Sequence, residues 1–335
     1  MSLTTQSAGG AITAQTLRTI QTLAACLLPT QGNIFFVNPA NGDDNNPGTS
    51  DQPLKTLAQA LSLATPNQND TIFLCASSNA AGSTTDYQTQ TLTWNKDLVH
   101  LIGINAGPLY SQRSRVAFFS SYAAAGPLFV VSANDCLIQN IEFFMGVASV
   151  LPIGCVKVTG ERVVFRGCQI AGIGASTNDI AGAYSLNLSG CNECLLDDCT
   201  IGLDTIVRAA QANSEILVDT ASTRCHFRKC RIVSMIGHVS NHPQVKLNGA
   251  TAIDRTLIFE DCLFLNESIN YAYAQASIFK LTAALTQGFV ILNNPYANNS
   301  DNSTAAVWDV DTRNQIALFA PPTPAAVTAG VCKMV

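Results

Sequence analysis

Three groups of side chains could do chemistry. Asp197 and Asp198 are adjacent carboxylates in "CLLDDCTI" (194–201), a pairing suited to acid–base hydrolysis. Asp43 and Asp44, flanked by Asn41, Asn45 and Asn46, offer the hard oxygen atoms that Ca²⁺ takes as ligands. Cys191, Cys194 and Cys199, separated by two and then four residues, offer thiolates to zinc. His100, His226, His238 and His242 are scattered without a partner spacing, and none is assigned a role.

What such groups can do depends on the elements that hold them, and these repeat. One eight-residue pattern occurs six times, as "CLIQNIEF" (136–143), "VVFRGCQI" (163–170), "CLLDDCTI" (194–201), "CHFRKCRI" (225–232), "LIFEDCLF" (257–264) and "FVILNNPY" (289–296). Positions 1, 3, 6 and 8 are mostly apolar around a polar break at 4 and 5, which suits two short strands meeting at a corner. A second pattern lies between these, in "VKV" (156–158), "LNL" (186–188), "ILV" (216–218), "VKL" (245–247), "FKL" (279–281) and "WDV" (308–310). Each thirty-odd residues thus makes one turn of several strands, and turns that cannot bury their own apolar face must stack. The expected fold is all-β, a right-handed single-stranded parallel β-helix over 33–319. Its interior ladders are Ile138, Phe165, Leu196, Phe227, Phe259, Ile291 and Ile141, Cys168, Cys199, Cys230, Cys262, Asn294.

Ahead of the repeat stands "FFVNPANGDDNNPGTSDQPLKTLAQALSLA" (35–64). Phe35 to Val37 is a strand stopped by Asn41-Gly42 and Pro47-Gly48. Pro53 then stands near a helix start, Asp51 is placed to cap it, and Leu54, Leu57, Ala58 and Leu61 give it one apolar stripe. Together with "DTIFLCASS" (70–78) and "LVHLIGINAG" (98–107), this opening resembles that of right-handed parallel β-helix proteins of the pectin lyase-like superfamily, of the phage virion and tailspike type. The resemblance implies that the helix caps the end of the β-helix. It leaves function open, because the superfamily holds pectin-degrading lyases and hydrolases, phage tailspikes and non-enzymatic virion proteins. Residues 1–32 lie outside it; Leu17, Ile20, Leu23, Leu27 form a second amphipathic stripe, read as a helical attachment segment. Residues 320–335 read as an irregular tail.

Each chemical group has a structural reading. The acidic turn lacks the spacing of a calcium loop, and Asn and Asp are turn residues in their own right. The pair Asp197-Asp198 resembles the adjacent aspartates of polygalacturonase-type hydrolases, yet His238 sits in "IGHVS" rather than Gly-His-Gly and no Arg-x-Lys follows. It occupies a corner whose counterparts are Arg166-Gly167, Arg228-Lys229 and Glu260-Asp261, where alternating sign relieves repulsion between stacked turns. Cys194 and Cys199 fall on inward columns as small apolar fillers. No catalytic residue, cofactor or metal is therefore assigned, and the thiols are expected to stay reduced.

The outward columns carry the remaining signal. Position 2 reads Leu137, Val164, Leu195, His226, Ile258, Val290, whereas the second strand reads Lys157, Asn187, Leu217, Lys246, Lys280, Asp309. A sheet apolar on both faces is covered on both, either by a loop of the same chain or by another subunit; a homotrimer packed through this stripe is the expectation. Charged residues make up 12% of the 335, with a net charge of −5, which disfavours nucleic acid as a partner. No stretch approaches eighteen apolar residues and the first residues lack a signal-peptide pattern, so no membrane association is expected. The reading is a non-enzymatic structural protein of a bacteriophage virion, made in the host cytoplasm, in a capsid decoration or the tail, docking other virion proteins by its N-terminal segment. The alternative is a tailspike-like polysaccharide depolymerase or glycan-binding adhesin.

Overall fold

A computed structural model describes residues 32–76, 85–105, 114–151, 153–208, 212–236, 242–267, 278–298 and 316–319. The described strands form three parallel sheets: sheet A of ten strands, sheet B of eight and sheet C of seven. Each turn passes from A to B to C. One full turn runs Val164–Arg166, Gln169–Ala171 and Tyr184–Ser189; the next runs Leu195–Asp197, Thr200–Arg208 and Ser214–Asp219. Every strand pairs in parallel with its counterpart one turn on, as in Val164↔Leu195↔His226↔Ile258 and Val156↔Leu186↔Ile216↔Val245↔Phe279. Crossovers between parallel strands are right-handed, and the molecule is the parallel β-helix that the periodicity predicts.

The inward columns are fully buried. Ile138, Phe165, Leu196, Phe227 and Phe259 stack in one, with the Phe227 and Phe259 rings 4.5 Å apart. Cys168, Cys199, Cys230 and Cys262 stack in the next, and the ten cysteines among the described residues carry free thiols. Parallel strands point these side chains the same way, so each thiol donates instead to a carbonyl of the preceding turn, Cys199 to Phe165 at 3.5 Å and Cys230 to Leu196 at 3.4 Å.

The sixth repeat is shifted by one residue from the sequence reading. Leu257 pairs with Val290 and Ile258 with Ile291, so the pattern starts at 290. A one-residue slip exchanges the faces of a strand. Val290 and Leu292 are accordingly buried in the core, Ile291 takes the outward place assigned to Val290, and Asn294 leaves the inward column. Asn294 belongs to the A-to-B corner, where Asn140, Gly167, Asp198, Lys229, Asp261 and Asn294 all have φ between 49° and 56°. That left-handed conformation favours Gly, Asn and Asp, which gives Asp198 a backbone reason for its identity.

The helix of the opening segment also starts later than expected. It spans Leu57–Leu63, capped by Thr56, whose hydroxyl accepts from the Gln59 N–H at 3.2 Å. Leu54 instead extends beside the first strand, bridging to Val37. Asp51 does not cap the helix; it accepts from the Thr49 hydroxyl at 2.7 Å. Leu57, Ala60 and Leu61 bury the helix's inner face in the shared core, and Lys96 Nζ donates to the carbonyls of Ser62 and Ala64 at its C-terminal end.

Candidate functional site

The outer face of sheet A carries two columns side by side. Leu137, Val164, Leu195, His226, Ile258 and Ile291 form an apolar one interrupted only by the imidazole, each residue half-buried. Neighbours one turn above and below lie about 4.8 Å away and shade each other, so this degree of burial fits an outward ladder. Beside it runs Gln139, Arg166, Asp197, Arg228, Glu260 and Asn293. Asp197 accepts from Arg228 at 2.9 Å on both oxygens and meets Arg166 Nε at 3.4 Å; His226 Nε2 lies 3.2 Å from Glu260. Hydrogen bonds and charge from Arg228, then the Arg166 charge, hold the Asp197 carboxyl below its usual range against the opposing pull of partial burial. Asp198 pairs separately with Arg231 at 3.1 Å. Asp197 thus lies between two arginines and Asp198 is paired with a third.

The acidic turn works on the backbone. Asp44 Oδ1 accepts from the N–H groups of Lys55 and Thr56, both at 2.9 Å, and its Oδ2 from the Thr56 hydroxyl at 2.9 Å; Asp43 accepts from the Asn45 N–H at 2.9 Å. These bonds tie the turn to the helix start, where an anion is favoured. Asp86, buried under the same helix, accepts from the Leu57 N–H at 3.2 Å and the Gln88 amide at 2.6 Å. Pro39, Ala40, Lys55, Thr56, Asp86 and Tyr87 border a cleft of about 370 Å³. Burial pushes the Asp86 carboxyl from 3.8 up to about 7. Between those values the native state holds a proton that the unfolded chain has lost, so stability falls as pH rises from about 4 to about 7. Asp86→Asn removes this effect and should gain a few kcal/mol on the parent between pH 4 and pH 8, measured by urea unfolding. An unchanged difference between the two pH values contradicts a protonated Asp86.

A buried polar network, absent from the sequence reading, lies where sheet B hands over to sheet C. The sheet C column Cys155, Ser185, Glu215, Gln244 is wholly buried. Glu215 Oε1 accepts from Arg208 Nη2 at 2.8 Å and Nε at 3.1 Å, and its Oε2 accepts from the Ser185 hydroxyl at 2.5 Å. His242 Nε2 lies 3.5 Å from Glu215, while its Nδ1 meets Asn213, whose amide donates to Asp179 at 2.7 Å. Arg208 is completed by carbonyls: Ile206 at 2.8 Å, Ile173 at 3.3 Å and Leu203 at 3.4 Å. Arg208 and Glu215 are 0% exposed, so substrate has no approach. The network clamps three successive B-to-C connections.

Other residues singled out in the sequence fall as follows. His100 is buried and accepts from the Leu137 N–H at 3.1 Å through Nδ1. Cys199 is not grouped with Cys191 and Cys194, since it sits in the core column by the A-to-B corner. Asn187, expected in solvent, is 4% exposed, its amide 3.5 Å from Asp219; Lys157, Lys246 and Lys280 are half-buried. Leu17, Ile20, Leu23, Leu27, His238 and Asp309 lie outside the described residues.

Stacked parallel turns closed by short left-handed corners define a parallel β-helix. Solved structures agree with that class. The chain is similar to pectate lyase Pel9A, with 13% identity and a TM-score of 0.55 over 86% of this chain and 68% of the other. It is similar to a pectin methylesterase in complex with a hexasaccharide, with 16% identity and a TM-score of 0.52 over 84% and 81%. A rhamnogalacturonan lyase gives 12% and 0.50 over 79% and 68%. Identities this low establish fold alone. A family model described as "Protein of unknown function (DUF1565)" matches residues 40–86, which hold the acidic turn, the capping helix and Asp86. No curated protein matches the chain in sequence.

Proposed function

We propose that this chain is a non-enzymatic structural β-helix of a phage-like virion, a capsid decoration or tail part, that associates with copies of itself as a trimer through the outer face of sheet A. The apolar column Leu137, Val164, Leu195, Ile258, Ile291 carries this reading. Full burial of such a side chain is worth about 1.5–3 kcal/mol; these are already half-buried, so each adds roughly half of that, a gain offset by the entropy of association. The charge-alternating column beside it supplies register, because Arg166, Asp197, Arg228 and Glu260 meet matched or opposed charges depending on how two copies slide. Residues 1–32 are proposed to dock other virion proteins. Sedimentation of the purified chain should give three times the chain mass, and the chain should travel with assembled particles on a density gradient.

The arginine-paired aspartates and the sealed network support the non-enzymatic part. Incubation with host capsular or surface polysaccharides should release neither reducing ends nor unsaturated products. An activity abolished by Asp197→Asn or Asp198→Asn would reinstate hydrolysis. One observation favours a second reading, a glycan-binding adhesin: Tyr87 and Phe119 are 44% and 49% exposed and pack edge to face with centroids 6.0 Å apart, beside the cleft near Lys55 and Thr56. Polysaccharide binding that is lost in Tyr87→Ala with Phe119→Ala would select that reading.

A further inference from the structure

The C-to-A corners of two successive turns bring four metal-type donors together. One corner reads Cys191-Asn192-Glu193-Cys194 and the next Ser222-Thr223-Arg224-Cys225. Asn192 bridges to Thr223 and Leu195 pairs with His226, so Cys191 stands beside Ser222 and Cys194 beside Cys225. The three sulfurs lie within 4.8 Å of one another. Cys191 Sγ is 3.6 Å from Cys225 Sγ and 3.7 Å from Ser222 Oγ. All four residues are at most 1% exposed.

We propose that Cys191, Cys194, Cys225 and Ser222 form a site for a thiophilic divalent ion of the zinc class, with three thiolates and one hydroxyl as ligands. Zinc–sulfur bonds of about 2.3 Å in a tetrahedron place sulfurs about 3.8 Å apart, so the Cys191–Cys225 pair already has the required separation. Two residues between donors is the spacing of structural zinc knuckles, and the helical repeat here does what a second knuckle does in a shorter chain. The left-handed φ of 56° at Glu193 and 51° at Arg224 turns the backbone so that both ends of each corner face inward. Glu193 and Arg224 are exposed, which puts solvent one residue from the ligands.

The other cysteine column shows what apolar filling looks like in this protein. Cys168, Cys199, Cys230 and Cys262 run in single file, one per turn, each bonded to a carbonyl of the preceding turn. Cys194 of the corner cluster makes the same kind of bond, to the Gly160 carbonyl at 3.6 Å, and the cluster differs in having two donors per turn and in being confined to two turns. Gly160 with Val163 on one side and Ile253 with Leu257 on the other occupy the corresponding places and offer no ligand.

The full chain, expressed with zinc and desalted, should contain about one zinc per chain. Cys191→Ser with Cys225→Ser should lower this to under about a tenth, while Cys199→Ser should leave it unchanged. Refolding with Co²⁺ in place of zinc should give tetrahedral ligand-field bands and a sulfur-to-cobalt charge-transfer band. Ser222→Cys should raise that band by about a third, since four sulfurs replace three; a cluster with only a packing role would not respond. Absence of metal from both the zinc and the cobalt preparations, with β-structure intact by circular dichroism, overturns the proposal. So does metal retained by the Cys191→Ser, Cys225→Ser protein, or a Cys191–Cys225 disulfide found by mass spectrometry in protein prepared without oxidant.

Discussion

Glu215→Gln is expected to destabilise the protein by about 3–5 kcal/mol, because it leaves the Arg208 guanidinium buried without its counter-charge. Both side chains are 0% exposed, and the carboxylate is the partner of two Arg208 nitrogens, the Ser185 hydroxyl and His242. Replacing both ions by apolar residues, Arg208→Met with Glu215→Leu, should recover most of the loss, since exchanging a whole buried pair is often neutral or better. A single-variant loss below about 1 kcal/mol would mean that water reaches the pair.

The same network sets an acid limit. Burial alone pushes the Glu215 carboxyl up; the Arg208 charge, the nearby His242 and the bond from Ser185 outweigh it and bring it from 4.5 to about 2. Its contribution is complete above pH 4.5 and is lost as pH falls through 2. Burial holds His242 below its usual 6.5, against the pull of Glu215. The unfolded chain therefore gains a proton there first, and stability begins to fall once pH drops below about 6.5. His242→Gln should flatten the upper part of that decline in urea titrations.

How much of this was legible depended on whether a feature repeats. The β-helix shows in the sequence because alternation and period recur at each turn, and the stacked Phe and Cys columns follow from the same register. The sixth repeat misled because Phe289 and Val290 are both apolar, so hydrophobicity alone cannot phase it. The left-handed corner phases it better, with Asn294 in line with Asp261 and Asp198. The buried network does not repeat: Glu215 occurs once, just before the apolar "ILV", and Arg208 arrives through an irregularity in strand pairing between Gly202 and Val207. The thiol cluster was hidden for a related reason. Cys199 is near Cys191 in sequence, but the neighbour in space lies one helical turn on, at Ser222 and Cys225.

Leu195→Asp with Ile258→Asp is the second change with a large expected effect. Each aspartate would enter the interface as a charge facing apolar side chains of another copy, with no partner to neutralise it. On a free surface the same residues sit in water at little cost. The coil fold of the variant should therefore survive while the assembly does not. Light scattering on the parent and the double variant at matched concentration, with circular dichroism on both, decides whether this face joins copies of the chain. The parent should be a trimer and the variant a folded monomer. A parent that is monomeric from the start, with a variant that unfolds, would contradict this and would mean that the chain's own loops cover the outer face of sheet A.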